Sequence, residues 1–230
     1  MFTILKKEFK SYLLSPIGYI FIGLFLLMFS VFFIVTIFQY SVINFEYLFY
    51  NGATILTFVV PVLTMRMFSE ERKNGTEQLL LTSPRSITSI VLGKFFAATL
   101  IMLITEMLTM IYFAILKYFG DPSLIVAIAT LGGFFLLSMS YISFGMFASS
   151  ITENQIVSCV VTIGTFILMW FLPLIGNNSS NLLMQFSLIN MFNNFPNGLI
   201  SISEIVTFVT FTLLFILLTI IVLQRRKSTK

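Results

Sequence analysis

Few side chains in this sequence could carry chemistry. It contains no histidine and a single cysteine, Cys159, so the usual groups for metal binding and proton transfer are nearly absent. Glu106 is an acidic residue in the middle of a long apolar run, and Thr105 and Thr109 beside it could hydrogen-bond its carboxyl group. We interpret Glu106 either as lining a polar path or pairing with a second copy of the chain, or as a protonated glutamate bonded to a neighbouring helix.

The largest group of other charges lies in one stretch, 66–94, which reads RMFSEERKNGTEQLLLTSPRSITSIVLGK. Asn74 and Glu77 have the spacing of a capping box, which predicts a short helix from Gly75 onward. Pro84 should end that helix and begin the next one, with Ser83 as its cap. The stretch is therefore predicted to be a helical elbow that exposes a leucine triplet, 79–81. Such a triplet needs a protein partner or lies on the lipid headgroups.

The elements that hold these residues belong to a membrane protein. Of the 230 residues, 58% are hydrophobic and 10% are charged, and 28 are phenylalanine. The mean hydropathy is +1.01. A soluble domain of this size could not bury so much apolar surface. Nothing in the composition favours nucleic-acid binding.

Apolar runs of spanning length predict an all-α integral membrane protein with six transmembrane helices in a single domain, 1–230. Residues 1–15 are predicted as an interfacial helix that turns into the first span at Ser15-Pro16. Residues 69–90 form the loop between the second and third spans, and 176–199 form an outer helix or re-entrant segment. The predicted spans are 17–38, 52–68, 91–117, 123–149, 155–175 and 200–223.

Six spans place both termini on the same side of the membrane. The lysines and arginines of the N-terminal helix, of the 66–94 stretch and of the C-terminal tail all fall on that side, and Lys117 falls on the other. By the positive-inside rule the first side is the cytoplasm.

Three stretches, in this order, resemble a known family. FSEERKNGTEQLLLTSPRSITSIVLGKFFA resembles the cytoplasmic loop of ABC-2-type transporter permeases. KKEFKSYLLSPIGYIF resembles the N-terminal elbow of the subgroup that includes gliding-motility permeases and the permease of nitrous-oxide-reductase maturation. FSLINMFNNFPNGLISISEIV, with the closing QRRK, resembles that subgroup's last outer segment and sixth span. The chain departs from the subgroup at Met191 and Pro196-Asn197, where a histidine and an arginine are expected.

The resemblance implies a non-catalytic subunit of an exporter in the plasma membrane, of the kind found in the bacterial inner membrane. It would dimerise in the lipid bilayer with an identical copy or a paralogue and sit on two separate ATPase subunits. ATP and Mg would bind to those subunits. The chain itself has no nucleotide-binding G-x-x-x-x-G-K-[ST] motif, because Gly93-Lys94 lacks the upstream glycine and is followed by Phe95.

In such a permease the loop 69–90 would be the coupling helix. We expect the first four residues of the coupling interface to lock the membrane end of the loop, and the remainder to fill a groove on the ATPase. The interface residues are Glu70, Glu71, Arg72, Lys73, Thr76, Glu77, Leu79, Leu80 and Leu81.

Two other functions remain as alternatives. A membrane scaffold could transmit ATP-driven motion to an outer partner without moving a solute, with 176–199 as its docking surface. An intramembrane enzyme is less favoured, because no second carboxylate accompanies Glu106 for acid–base work.

Overall fold

Helices make up the secondary structure of the described part of the chain. The computed structural model describes residues 1–40, 45–81, 85–120, 122–175 and 187–228. The helices in chain order are α1 (Phe2–Leu14), α2 (Pro16–Tyr40), α3 (Phe45–Thr64), α4 (Ser69–Lys73), α5 (Glu77–Leu81), α6 (Ile87–Phe119), α7 (Leu124–Ile151), α8 (Gln155–Ile175), α9 (Leu188–Phe192) and α10 (Ile202–Ser228).

Five helical segments are long and apolar enough to cross a membrane: Pro16–Ile37, Leu48–Lys73, Ile87–Tyr118, Leu124–Ile151 and Ile202–Ser228. The prediction of an all-helical, multi-span membrane protein is thereby confirmed. A sixth apolar helix, α8, begins at the residue expected for the fifth span but contributes a shorter apolar segment, Gln155–Phe171. The count of six spans therefore stays a prediction.

Several helices extend beyond the predicted spans, since a helix need not end where the lipid does. The second span was expected over 52–68, but α3 begins at Phe45 and ends at Thr64. The last helix continues to Ser228, so the basic tail is helical. Of the predicted outer segment, residues 176–186 lie outside the described residues, and the remainder contains the short helix α9.

The break between α1 and α2 lies where the sequence predicts it. Ser15 has an extended backbone (φ −89°, ψ 148°), because the ring of Pro16 disfavours a helical conformation at the preceding residue. Pro16 then begins α2. Helix α1, which precedes this break, packs mainly against α6, the helix of the predicted third span.

The central helix is α7, which packs against α3, α6, α8, α9 and α10. Small residues let these neighbours approach closely. A Cβ atom on Gly145 would lie 2.2 Å from Oγ1 of Thr64 on α3, and one on Gly133 would lie 2.4 Å from Cγ of Phe195. Ser140 adds a hydrogen bond to Thr212 of α10, at 3.2 Å between the hydroxyl oxygens.

A cluster of phenylalanines fills the core at the end of the bundle opposite α4. The ring of Phe49 lies 5.0 Å, between centroids, from the rings of Phe29 on α2 and Phe134 on α7. Phe134 in turn contacts Phe192 of α9 at 5.8 Å. Part of the high phenylalanine content therefore serves to pack helices against each other through edge-to-face ring contacts.

Gly133 and Gly132 provide a matched test of this packing. Gly133→Ala should lower the free energy of unfolding by about 2 kcal/mol, because the new methyl group would overlap the ring of Phe195. Gly132→Ala should not be destabilising, since a Cβ atom there meets nothing within 4 Å. Thermal unfolding of the purified full chain measures both, and equal midpoints for the two variants would contradict the packing described here.

Candidate functional site

The charged stretch folds as two short helices, α4 and α5, separated by a turn. Gly75 lies in this turn with φ at +71°, a left-handed conformation that favours glycine. The predicted capping box is wrong. Asn74 follows the C-terminus of α4, where its N–H donates to the Glu70 carbonyl, and α5 begins only at Glu77. The carboxylate of Glu77 binds the guanidinium of Arg226 instead, at 2.9 Å, which is a stronger interaction than a backbone cap.

The start of α6 also differs from the prediction. Ser86 is the N-cap, and its hydroxyl accepts a hydrogen bond from the Ser89 N–H at 3.3 Å. The first helical residue is therefore Ile87. Ser83 and Pro84, which were expected to begin this helix, lie outside the described residues.

A buried serine joins the beginning of α4 to the end of α7. The hydroxyl oxygen of Ser149 accepts hydrogen bonds from the N–H groups of Phe68 and Ser69, at 3.0 and 3.1 Å. The same hydroxyl donates to the Met65 carbonyl at 3.0 Å. Helix ends leave such backbone groups without partners, so Ser149 satisfies the last turn of α3 and the first turn of α4 together.

One side of α4 is held by a lysine cluster, which we define as Lys94, Glu71, Glu8 and Phe68. Lys94 is only 3% exposed. Its ammonium nitrogen lies 2.9 Å from Glu71 Oε1 and 3.3 Å from Glu8 Oε1. The same nitrogen lies 5.4 Å from the centre of the Phe68 ring. The lysine cluster therefore ties α1, α4 and α6 together.

The other side is held by an arginine cluster, which we define as Arg72, Glu77, Glu153, Arg226 and the Ile151 carbonyl. Arg72 contacts Glu153 at 2.6 Å and donates to the Ile151 carbonyl at 2.9 Å. Arg226 contacts Glu77 at 2.9 Å and donates to the same carbonyl at 3.3 Å. Arg72 also approaches Glu77 at 3.9 Å. The arginine cluster joins α4 and α5 to the C-terminal ends of α7 and α10.

A polar cavity of about 240 Å³ separates α1 from α4 on the side of the lysine cluster. Charged groups of both signs line it, including Lys7, Arg66 and Glu70. Arg66 and Glu70 pair with each other at 2.7 Å. Burial raises the pKa of Tyr12 in this wall of α1. Because of this gap, contact between α1 and α4 depends on the Lys94 ion pairs.

The residues expected at the coupling interface separate into two groups. Glu70, Glu71 and Arg72 form ion pairs at the base of the segment, whereas Lys73 is exposed. Glu77 belongs with the first three, because its side chain is only 11% exposed.

The tip of the segment is more exposed than its base. The Thr76 hydroxyl donates to the Glu71 carbonyl at 3.2 Å, and Leu79 is 74% exposed. The side chains of Leu80 and Leu81 lie outside those that the structure describes.

Four residues of this site escaped the sequence analysis: Glu8, Ser149, Glu153 and Arg226. All four lie far along the chain from α4 and α5, and Arg226 was counted only among the cytoplasmic cations. Its spacing after Thr219 and Leu223, which are buried on α10, was a usable signal. Residues three and seven positions apart share one face of a helix.

Glu106 is buried in the middle of α6, with 4% of its surface exposed. The expected hydrogen bonds from the neighbouring threonines are absent. The Thr105 hydroxyl donates to the Ile101 carbonyl at 2.8 Å, and the Thr109 hydroxyl donates to the backbone carbonyl of Glu106 at 2.6 Å. Helical threonines often satisfy their hydroxyl groups in this way. Oε1 of Glu106 has no hydrogen-bond partner among the described residues.

Comparison with protein families identifies the family to which this sequence belongs. The sequence model of the ABC-2 family transporter proteins matches residues 38–223, which is well over half of the chain. The chain belongs to the ABC-2 transporter family. A search of the curated proteins finds no match.

Membership of the ABC-2 family makes the chain the membrane permease of an ABC transporter, a non-catalytic, multi-pass subunit. It implies association with an ABC ATPase. The matched region of the ABC-2 permease includes α4, α5, α6 and Glu106. It ends at Leu223, before Arg226, and begins after α1.

In this ABC-2 permease, Lys94→Met should lower the free energy of unfolding by about 3 kcal/mol, because two carboxylates would lose their buried cation. Adding Glu71→Gln should recover part of the loss by removing one of those carboxylates. Thermal unfolding of the full chain measures both effects.

Lys73→Met is the control for this prediction, because Lys73 is exposed at the end of α4. Its unfolding midpoint should stay close to that of the unchanged protein. A Lys94→Met variant as stable as Lys73→Met would contradict the role of the lysine cluster.

Proposed function

We propose that the chain forms the translocation pathway of an exporter, as a dimer with an identical copy or a paralogue. Two separate ATPase subunits, which bind ATP and Mg, drive it from the cytoplasmic side through α4 and α5. The observation that carries this proposal is the contrast within that segment. Its base is held by ion pairs and hydrogen bonds that reach α1, α6, α7 and α10, while Leu79 at its tip is 74% exposed.

This contrast suits a segment that transmits motion. A short helix that binds the ATPase at its tip can move other helices only if its base is firmly attached to them. The two clusters and Ser149 provide such attachments. Closure of the ATPase pair would then shift the membrane helices between two arrangements through the difference in contact energy between them.

We propose that both termini and α4–α5 face the cytoplasm, because the cations concentrate there. On the family resemblance we place the permease in a plasma membrane of the bacterial inner-membrane type. In this proposal the whole chain, 1–230, is one membrane domain, α1 is an interfacial elbow and α8 is the fifth of six spans. Within the family we place the chain nearest the gliding-motility and nitrous-oxide-reductase-maturation subgroup, on the three similar stretches alone.

The first test concerns the exposed tip. Leu79→Asp should abolish co-purification of the ATPase that is co-expressed with the permease, because a charge would enter an apolar contact. We expect the same of Leu80→Asp. Leu79→Met is the matched control, since it keeps an apolar side chain of similar volume and should retain the ATPase. An intact complex from the Leu79→Asp variant would refute the coupling role of α5.

The complex also separates transport from the scaffold alternative. If ATP hydrolysis by the reconstituted complex increases with a candidate solute, transport is supported. If it increases only with a protein that binds the outer face, the scaffold function is supported.

The second test concerns Glu106, which we propose as a polar residue of the translocation path or of a contact between helices. An ionisable group buried in the middle of a span is costly and for that reason points to function. If its charge takes part, Glu106→Gln should change the pH dependence of ATP hydrolysis in the reconstituted complex. Thr105→Val, at a neighbouring buried position on α6, should leave that dependence unchanged. An identical pH profile for Glu106→Gln and the unchanged protein would remove a role for its charge.

A further inference from the structure

The C-terminal end of α10 takes part in holding α5. We propose that Arg226 is a positioning residue that sets α5 against the end of α7. Motion of α5 would then reach α7 and α10 directly, as well as through α3 and α6. The functional part of this inference rests on the proposed role of α5 in binding the ATPase.

Arg226 lies on the side of α10 that packs against the other helices. Most of the buried residues of α10 recur every three or four positions, as expected for one face of a helix; they include Phe208, Thr212, Ile216, Thr219 and Leu223. Arg226 is the next position in this series, and its side chain is 23% exposed. Lys227 beside it is exposed. Arg226 therefore continues the packed face of α10, whereas Lys227 does not.

The contacts of Arg226 fix its direction. One guanidinium nitrogen lies 2.9 Å from Glu77 Oε1, and another lies 3.3 Å from the Ile151 carbonyl oxygen. The rigid fork of a guanidinium suits two acceptors at once, which a lysine ammonium cannot match in the same geometry. Without Arg226, the ion pair that Glu77 would keep among the described residues is the 3.9 Å approach of Arg72.

The end of α7 explains why two arginines meet there. Ile151 is the last residue of α7, and α8 begins at Gln155. The carbonyls of a last helical turn lack intrahelical donors and carry partial negative charge. Arg72 and Arg226 both donate to the Ile151 carbonyl, so α4 and α10 meet at this terminus.

Beyond the cluster, α10 and α7 are packed along much of their length. The Phe215 ring of α10 lies 4.9 Å from the Phe144 ring and 5.4 Å from the Phe147 ring. A displacement of α5 that pulls on Arg226 is therefore applied to a pair of helices in close contact.

Hydrogen exchange of the full-length permease tests the positioning role without any need for a substrate. Arg226→Gln should make the amides of residues 68–81 exchange about tenfold faster, because α5 loses its attachment to α10. Glu77→Gln should also speed this exchange, and the effects of the two changes should be less than additive, because both remove the Glu77–Arg226 ion pair while Arg226→Gln also removes a donor to the Ile151 carbonyl. Arg226→Lys should give an intermediate increase.

Lys227→Gln is the matched control, since it removes one neighbouring positive charge from the exposed side of α10. If the amides of residues 68–81 exchange at the same rate in Arg226→Gln and in Lys227→Gln, the proposal is overturned. Additive effects of Glu77→Gln and Arg226→Gln would also overturn it, because the two residues would then act separately. Should Arg226→Gln fail to fold, exchange over 68–81 in the Arg226→Lys and Glu77→Gln variants is compared with that in Lys227→Gln, and equal rates would again overturn the proposal.

The ATPase complex separates this inference from the proposed function. Arg226→Gln should still co-purify the ATPase, because α5 keeps its exposed tip, but ATP hydrolysis by the complex should differ from that of Lys227→Gln. If exchange responds as expected and no ATPase binds the unchanged permease, the proposed function fails while the positioning role stands. If ATPase binds and hydrolysis is the same in both variants, α5 does not act through α10 and the mechanical part of the inference is refuted.

Discussion

An ammonium group buried at the end of a membrane helix must have carboxylates beside it, and Lys94 meets this requirement with Glu8 and Glu71. The desolvation penalty of such an ion is several kcal/mol, and it is offset only when the pairing geometry is good. Because the two carboxylates come from α1 and α4, satisfying one charge on α6 fixes the relative position of three elements. Helix α1 also packs directly against α6, but a polar cavity separates it from α4, so these ion pairs are what link α1 to α4.

A second requirement acts at the opposite side of α4, where α7 ends. Local hydroxyl groups satisfy part of that terminus, since Thr152 donates to the Ala148 carbonyl, whereas the donors to the Ile151 carbonyl come from elsewhere in the chain. Arg72 and Arg226 supply them at the Ile151 carbonyl, and Glu77 and Glu153 balance the two guanidinium charges. These pairs are partly exposed, with the Glu153 side chain 67% exposed, so each of them adds little to stability. The arginine cluster therefore specifies an arrangement of helix ends more than it adds stability.

The sequence was sufficient to predict an all-helical, multi-span protein, but it did not predict which residues its charged side chains would contact. Hydropathy predicts the long helices because a chain that crosses lipid must satisfy its backbone within each helix. The break at Ser15 was also predictable, because a proline disfavours a helical backbone at the residue before it. The capping box at Asn74 failed because a local pattern competes with tertiary contacts, and Glu77 found Arg226 at 149 positions' distance along the chain. Thr105 and Thr109 failed as partners of Glu106 because their own helix offered carbonyl acceptors.

The two clusters also bear on how motion would spread in the proposed mechanism. A simple lever would act through α3 and α6 alone, because these two helices flank α4 and α5 in the chain. The ion pairs instead give the segment additional attachments, to α1 through Lys94 and to α7 and α10 through the arginines. A transition that broke both clusters would leave the buried Lys94 without its carboxylates, at a cost of several kcal/mol, and would separate the partly exposed pairs of the arginine cluster at a smaller cost. It is less costly to keep the clusters formed, so α4, α5 and the attached helix ends should move as one body. The rearrangement would then occur where the helices cross the membrane, between packed apolar faces that can slide with little loss of contact.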